Sequence, residues 1–85
     1  MRDPSRIPII LDLLKQAWEL DQDMRFMQLI FNLQANYSHK NNHTGLVEKI
    51  DKDGFSTRGF DLFNIEDKVI EKFLVEYIEE RRENK

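Results

Sequence analysis

From Ile7 onward the apolar residues of this chain fall at positions 7, 9, 10, 11, 13, 14, 17 and 18. On a helical wheel they fill an arc of about 200°, with Asp12, Lys15, Gln16 and Glu19 opposite. An arc that wide exceeds what a single neighbour covers, so this helix is expected at the centre of the fold. Its start lies between residues 3 and 7. Asp3-Pro4 reads as an N-cap followed by proline at the first helical position. With Ser5 as the N-cap instead, Pro8 sits harmlessly inside the first turn.

Asp21-Gln22-Asp23 breaks the period. A second helix follows, with Phe26, Leu29, Ile30 and Leu33 as its core stripe and Met27 and Phe31 widening it. The short connection makes the first two helices a hairpin. A last helix places Val69, Ile70, Phe73, Leu74, Tyr77 and Ile78 on one face. Asn64 or Asp67 caps it. Glu66 and Asp67 at its start and Arg81 and Arg82 at its end complement its dipole. The reading is one mainly α domain over residues 1–85, with helices at about 5–20, 24–36 and 65–82. Its expected core is Ile10, Leu14, Trp18, Leu29, Ile30, Leu33, Phe73, Leu74 and Tyr77.

The stretch 37–60 differs in character and reads as an irregular insertion. It opens polar and turn-rich. Leu46-Val47-Glu48-Lys49-Ile50 is short and apolar at intervals, and Asp53-Gly54 is a strong turn signal. Residues 46–57 fit either a small β-hairpin or a helical turn followed by a loop, because periodicity does not arbitrate so short a run.

Composition removes several function classes. The net charge is −3 with both signs interspersed, so the sequence shows no electrostatic footprint for nucleic acid. There is no cysteine, which excludes disulfides and thiolate metal sites. The N-terminal apolar run is studded with Asp12, Lys15 and Gln16. It therefore reads as neither a signal peptide nor a membrane span, and cytoplasmic residence is the expectation.

The residues at the two ends carry a resemblance. Asp3-Pro4 through Leu33, with Asp61-Leu62-Phe63-Asn64-Ile65-Glu66-Asp67, resembles a family of small uncharacterised bacterial and prophage-encoded proteins. Those proteins have a similar start, a Trp closing the first helix, and a Pro-Asp-x-Arg-x-x-Gln-Leu-Ile-x-Asn-Leu block. Here that block runs from Gln22, which replaces the proline, to Leu33. Asn64 stands where an aromatic is usual. More distantly, the first half looks like the YihD-like small helical proteins. The resemblance covers about half the chain, and its motifs are mostly capping and core positions. It implies a helical fold and a phage or prophage setting, and it implies no known activity.

Several residues invite a functional reading. Arg25, Gln28 and Asn32 share one helical face, a recognition stripe for a protein partner. The structural account makes Gln28 part of a capping box and pairs Arg25 with Asp23 or Asp67. His39 and His43 have the spacing of helical zinc ligands, but no Glu-x-x-His or cysteine accompanies them, and a solvated loop is the better account. Asp51-Lys52-Asp53-Gly54-Phe55 looks like the middle of a calcium loop. Lys49 and Phe60 fall where an acidic ligand and a bidentate glutamate belong, so a tight turn is the better account.

No phosphate loop, nucleophile motif or carboxylate pair appears, and Glu66 and Asp67 point about 100° apart on a helix. The chain is therefore read as no enzyme, with no cofactor and no metal. The expectation is a non-catalytic protein-binding or regulatory module. Its apolar contact patch is drawn from Ile9, Leu13, Met27, Phe31 and Val75. The protein partner is unknown, and no membrane is involved. A homodimer through the Ile9-Leu13-Gln16 edge is a further expectation, with the insertion folding back over that edge as the alternative. A small DNA-binding regulator is the second functional reading. It requires folding to gather Arg2, Arg6, Arg25, Lys40 and Arg58 into one basic surface.

Overall fold

A computed structural model describes residues 2–83. It contains α1 (Arg6–Glu19), α2 (Phe26–Lys40), β1 (Leu46–Ile50), β2 (Ser56–Phe60) and α3 (Asp67–Glu83). The three expected helices form, and the insertion is a two-stranded antiparallel hairpin. Helix accounts for 56% of the fold, so the class is helical with a β element rather than all-α. Where the sequence reads as one domain, tertiary contacts divide the chain into two compact units. The first joins the residues up to Phe26 with those from Ile65 onward; the second is Met27–Asn64.

In the first unit α1 packs on α3. Arg6 Nε donates to Asp67 Oδ2 at the starts of the two helices, and Arg82 Nη2 donates to Gln16 Oε1 at 3.3 Å towards their ends. The two helices therefore run in the same direction. Asp3 Oδ1 accepts the Ser5 N–H at 2.9 Å, and the helix begins one residue later. Pro8 is the third helical residue, where its missing N–H would have no intrahelical partner. At α3, the Glu66 carbonyl accepts the N–H groups of Val69 and Ile70, so Glu66 stands at the capping position expected for Asn64 or Asp67.

The buried residues of this unit are Ala17, Phe73, Leu74, Tyr77 and Ile78. The Phe73 and Tyr77 rings lie 6.0 Å apart, and Arg81 sits over the Tyr77 ring at 5.6 Å. Two expectations are corrected here. Ala17 is the sole buried residue of α1, so this helix is not the centre of the fold. Trp18 is exposed and Ile10 and Leu14 are half-buried, because α3 covers the Ala17 side of α1 and leaves the rest of its arc open.

In the second unit α2 runs to Lys40, four residues past its expected end, and starts at Phe26 rather than residue 24. Tyr37 and Ser38 are buried, joining Leu29 and Leu33, while Ile30 is half-buried. The polar run that looked like a loop is thus the helix's last turn and its cap. The His43 N–H bonds back to the Ser38 carbonyl at 2.7 Å, and Asn42 stands between helix and bond with φ 59°. That is a Schellman closure with asparagine in the left-handed position. Asn41 Nδ2 satisfies a further orphan carbonyl, Tyr37 O, at 2.8 Å.

The strands pair from Leu46↔Phe60 to Ile50↔Ser56. The connecting loop is held by one carboxylate: Asp51 Oδ1 accepts the N–H groups of Asp53 (2.9 Å) and Phe55 (3.0 Å). Gly54, at φ 81°, donates its N–H to the Asp51 carbonyl at 3.1 Å. This is a tight turn with its glycine in the left-handed position. At the open end of the hairpin, the Asp61 N–H bonds to the Gly45 carbonyl at 2.8 Å.

The two glycines should respond differently to substitution. At Gly45 (φ 77°) a Cβ would lie 2.5 Å from Leu62 Cδ2 and 2.7 Å from the Asp61 carbonyl oxygen, whereas at Gly54 nothing lies within 4 Å. Gly45→Ala is expected to cost roughly 2–3 kcal/mol, adding backbone strain to a clash. Gly54→Ala should cost about 1 kcal/mol, from the left-handed conformation alone. Urea denaturation of both variants checks the order. Separately, Phe73→Ala is expected to cost about 3–5 kcal/mol, as for a buried aromatic.

Candidate functional site

The open face of α1 is the most developed surface of the first unit. Ile7, Leu11, Leu14 and Trp18 follow one another at steps of four, three and four residues, so they form a single stripe down the helix. Beyond Glu19 the chain turns sharply. The Asp21 N–H bonds to the Trp18 carbonyl at 3.0 Å, and the Met24 N–H to the Asp21 carbonyl at 3.2 Å. This turn delivers Phe26 beside Trp18, their rings 5.4 Å apart and tilted by 44°.

The result is a groove of about 430 Å³. Its floor is Leu11, Leu14, Trp18 and Phe26; Lys15, Glu19 and Gln22 form its rim. The indole Nε1–H donates to the Met24 carbonyl at 2.8 Å. The one polar atom of the tryptophan is therefore satisfied inside the unit, and its remaining surface is apolar. A partner that covers it strands no donor, and the hydrogen bond holds the ring in place beforehand.

The residues predicted from the sequence are placed less favourably. Arg25 precedes α2 rather than lying on it; Gln28 and Asn32 are exposed on the helix, four residues apart. All three are already engaged in interactions within the protein. Ile9 and Val75 are exposed and belong to the first unit; Met27 and Phe31 are exposed and belong to the second. Phe31 packs edge-on against Phe60 of the hairpin at 5.4 Å. Leu13 and Gln16 are half-buried, and Gln16 is bonded to Arg82, so the edge proposed for a dimer is turned partly towards α3. The stripe that does stay open includes Leu11 and Trp18, which the sequence reading assigned to the helix's general apolar arc and to the core. Its signal was present in the 7-11-14-18 spacing, distinct from the 10-13-17 side that faces α3.

Charge is distributed as pairs. Arg2 meets Glu66 at 3.3 Å, Arg6 meets Asp67, and Arg58 meets Glu48 across the hairpin at 3.1 Å. Asp67 is thus a partner of Arg6. A second cleft, at the starts of α1 and α3, is lined by the first two of these pairs with Lys68 and Glu71. His39 and His43 stack edge-on, 6.1 Å between centroids. Among the described residues no group of three or more His, Asp or Glu is arranged to hold a metal ion. No helix among them is long and apolar enough to cross a membrane. No protein-family model matches this chain, and neither a curated protein nor a solved structure matches it significantly.

Asp3 offers a pH-dependent handle on the start of α1. Its carboxylate accepts hydrogen bonds from Ser5, with Arg6 nearby, and these hold it below its ordinary value of 3.8. A depressed carboxyl contributes stability above the unfolded-state value and loses it as pH falls through the folded one. An NMR titration is expected to show Asp3 titrating below 3.8, with the Ser5 amide signal moving in step. Asp3→Asn should abolish that amide shift.

Proposed function

We propose that this chain is a non-catalytic protein-binding module of the cytoplasm, in keeping with the regulatory, phage-associated setting that its resemblance implies. The observation that carries the reading is the α1 groove. It is an exposed, largely apolar concavity with a preset aromatic pair and a charged rim, the composition expected of a docking surface. Rigid aromatic anchors contribute most to such surfaces, because little conformational freedom is lost when they are covered.

The DNA-binding alternative has weaker support. Of the five basic residues it requires, Arg2, Arg6 and Arg58 are already in carboxylate pairs. Phosphate contacts would have to compete with those pairs.

Two measurements test the reading. The intact chain used as bait in its native lysate is expected to retain a protein that the Leu11→Glu bait does not. Leu11 is exposed, so that change should leave the helix content unaltered. Equal retention by both baits would remove the groove from the account. Fluorescence anisotropy with labelled duplex DNA in about 50 mM salt should show no saturable binding, and a strongly salt-dependent signal would favour the alternative.

A further inference from the structure

We propose that His39 and His43 form a two-histidine binding site for a late first-row divalent metal ion, Zn²⁺ or Cu²⁺ in class. The site lies in the second unit and is independent of the groove on α1. By spacing alone the pair reads as part of a solvated loop. The structure instead places His39 in the last turn of α2 and brings His43 beside it, the rings edge-on with 6.1 Å between centroids.

That separation suits a shared ion. A zinc–imidazole bond of about 2.0–2.1 Å puts the ion about 3.2 Å from the centroid of each ring it binds. Two rings on one ion then stand about 4.5 Å apart for a right angle at the metal, about 5.2 Å for a tetrahedral one and about 6.4 Å in line. The observed distance falls inside this range. Both histidines are exposed, so each ring can turn a nitrogen towards the ion without displacing a packed neighbour.

The backbone holds the second ligand in advance. The His43 N–H bonds to the Ser38 carbonyl at 2.7 Å, and Asn42 and His43 both take the left-handed conformation, at φ 59° and 63°. Beyond them the Thr44 N–H bonds to the Asn41 carbonyl at 3.2 Å, and the Leu46 N–H to the His43 carbonyl at 3.1 Å. Binding therefore orders two side chains and no backbone. The carbonyl end of α2 favours a cation, although Lys40 in the same turn opposes it.

The donor set selects the ion. Imidazole nitrogens suit Zn²⁺, Cu²⁺ and Ni²⁺, whereas Mg²⁺ and Ca²⁺ take oxygen ligands. Among the described residues no third His, Asp or Glu completes the set. The remaining positions on the ion belong to water or to a group brought by another molecule.

Titration of the isotope-labelled full chain with Zn²⁺, followed by NMR, tests the site, with Mg²⁺ as the control. Saturable shifts are expected in both imidazole signals and in the amides of residues 38–44, with a dissociation constant below about 1 mM. Mg²⁺ should move none of them. His39→Ala and His43→Asn should each weaken binding about tenfold or more, because a chelate is reduced to a single ligand. Asparagine is the choice at 43 because it tolerates the left-handed backbone. Asn42→Val keeps both rings but resists that backbone, so it opens the closure and should also weaken binding about tenfold. Asn42→Gly keeps the closure and should bind as the wild type does. Zn²⁺ should raise the Tm of the wild type and leave that of His39→Ala unchanged.

No saturation by about 1 mM Zn²⁺ overturns the inference. So does an unaltered affinity in either histidine variant, or equal shifts with Mg²⁺. An Asn42→Val chain that binds like the wild type overturns it too, since two histidines four residues apart would then bind without the closure that brings them together.

Discussion

Helices α1 and α3 point the same way, and the charges of the first unit are arranged around that fact. Parallel helices set two partial positive charges side by side at their starts and two negative ones at their ends. α1 carries no acidic residue in its first turn and no basic residue in its last. α3 carries Asp67 in its first turn and Arg81 and Arg82 in its last. The missing groups are supplied across the pair: Asp67 meets Arg6 at the beginning, and Arg82 reaches Gln16 near the end. Each of these contacts is at least partly exposed and contributes about 1 kcal/mol or less. Their effect is on direction and register, while burial of Phe73, Leu74, Tyr77 and Ile78 supplies most of the stabilisation.

The same packing explains why α1 can serve as a surface. Ala17, the smallest apolar side chain of its arc, lies at the buried position. Larger residues flank it on the half-buried side, and the stripe from Ile7 to Trp18 remains open. A helix in the middle of a bundle would have spent its whole arc on neighbours. This one buries Ala17 and half-buries Ile10, Leu13 and Leu14, and the turn at residues 20–25 adds Phe26 to what is left. The function proposed for the groove thus follows from how little of α1 its unit covers.

Much of the architecture was legible in the sequence, and the failures have physical reasons. The three helices and their order follow from periodicity alone. The end of α2 did not, because Asn36 to Asn42 are polar and turn-prone by composition. Those residues are the material of a helix cap: Asn42 adopts the left-handed conformation and Asn41 binds a terminal carbonyl. The hairpin could not be chosen over a helical turn, since a five-residue strand has too few periods; the close approach at its open end, where a side chain on Gly45 would strike Leu62 and the Asp61 backbone, is a tertiary contact that no local pattern records. At the candidate site the residue types were visible but their roles were exchanged. Trp18 was expected inside because it is large and apolar. Its ring instead lies at the open face of α1, with the indole N–H bonded to a carbonyl in the following turn. Which part of a wide apolar arc stays open depends on where the other helix lands, and no local pattern records that.

The hairpin's ladder has a consequence for how this chain behaves in a crowded solution. Asp61 N–H to Gly45 C=O and Asp51 N–H to Phe55 C=O mark the inward-bonding positions, so the backbones of residues 46, 48 and 50, and of 56, 58 and 60, point outward on two unpaired edges. Open edges are templates for strand addition, and addition from one chain to the next has no natural end. At the midpoint of one edge stands Glu48, and at the midpoint of the other Arg58. A strand arriving on either side must desolvate a charge that is already engaged with its cross-strand mate. The Glu48–Arg58 pair adds little to folding from so exposed a position, and a charge at the middle of each edge raises the cost of strand addition there.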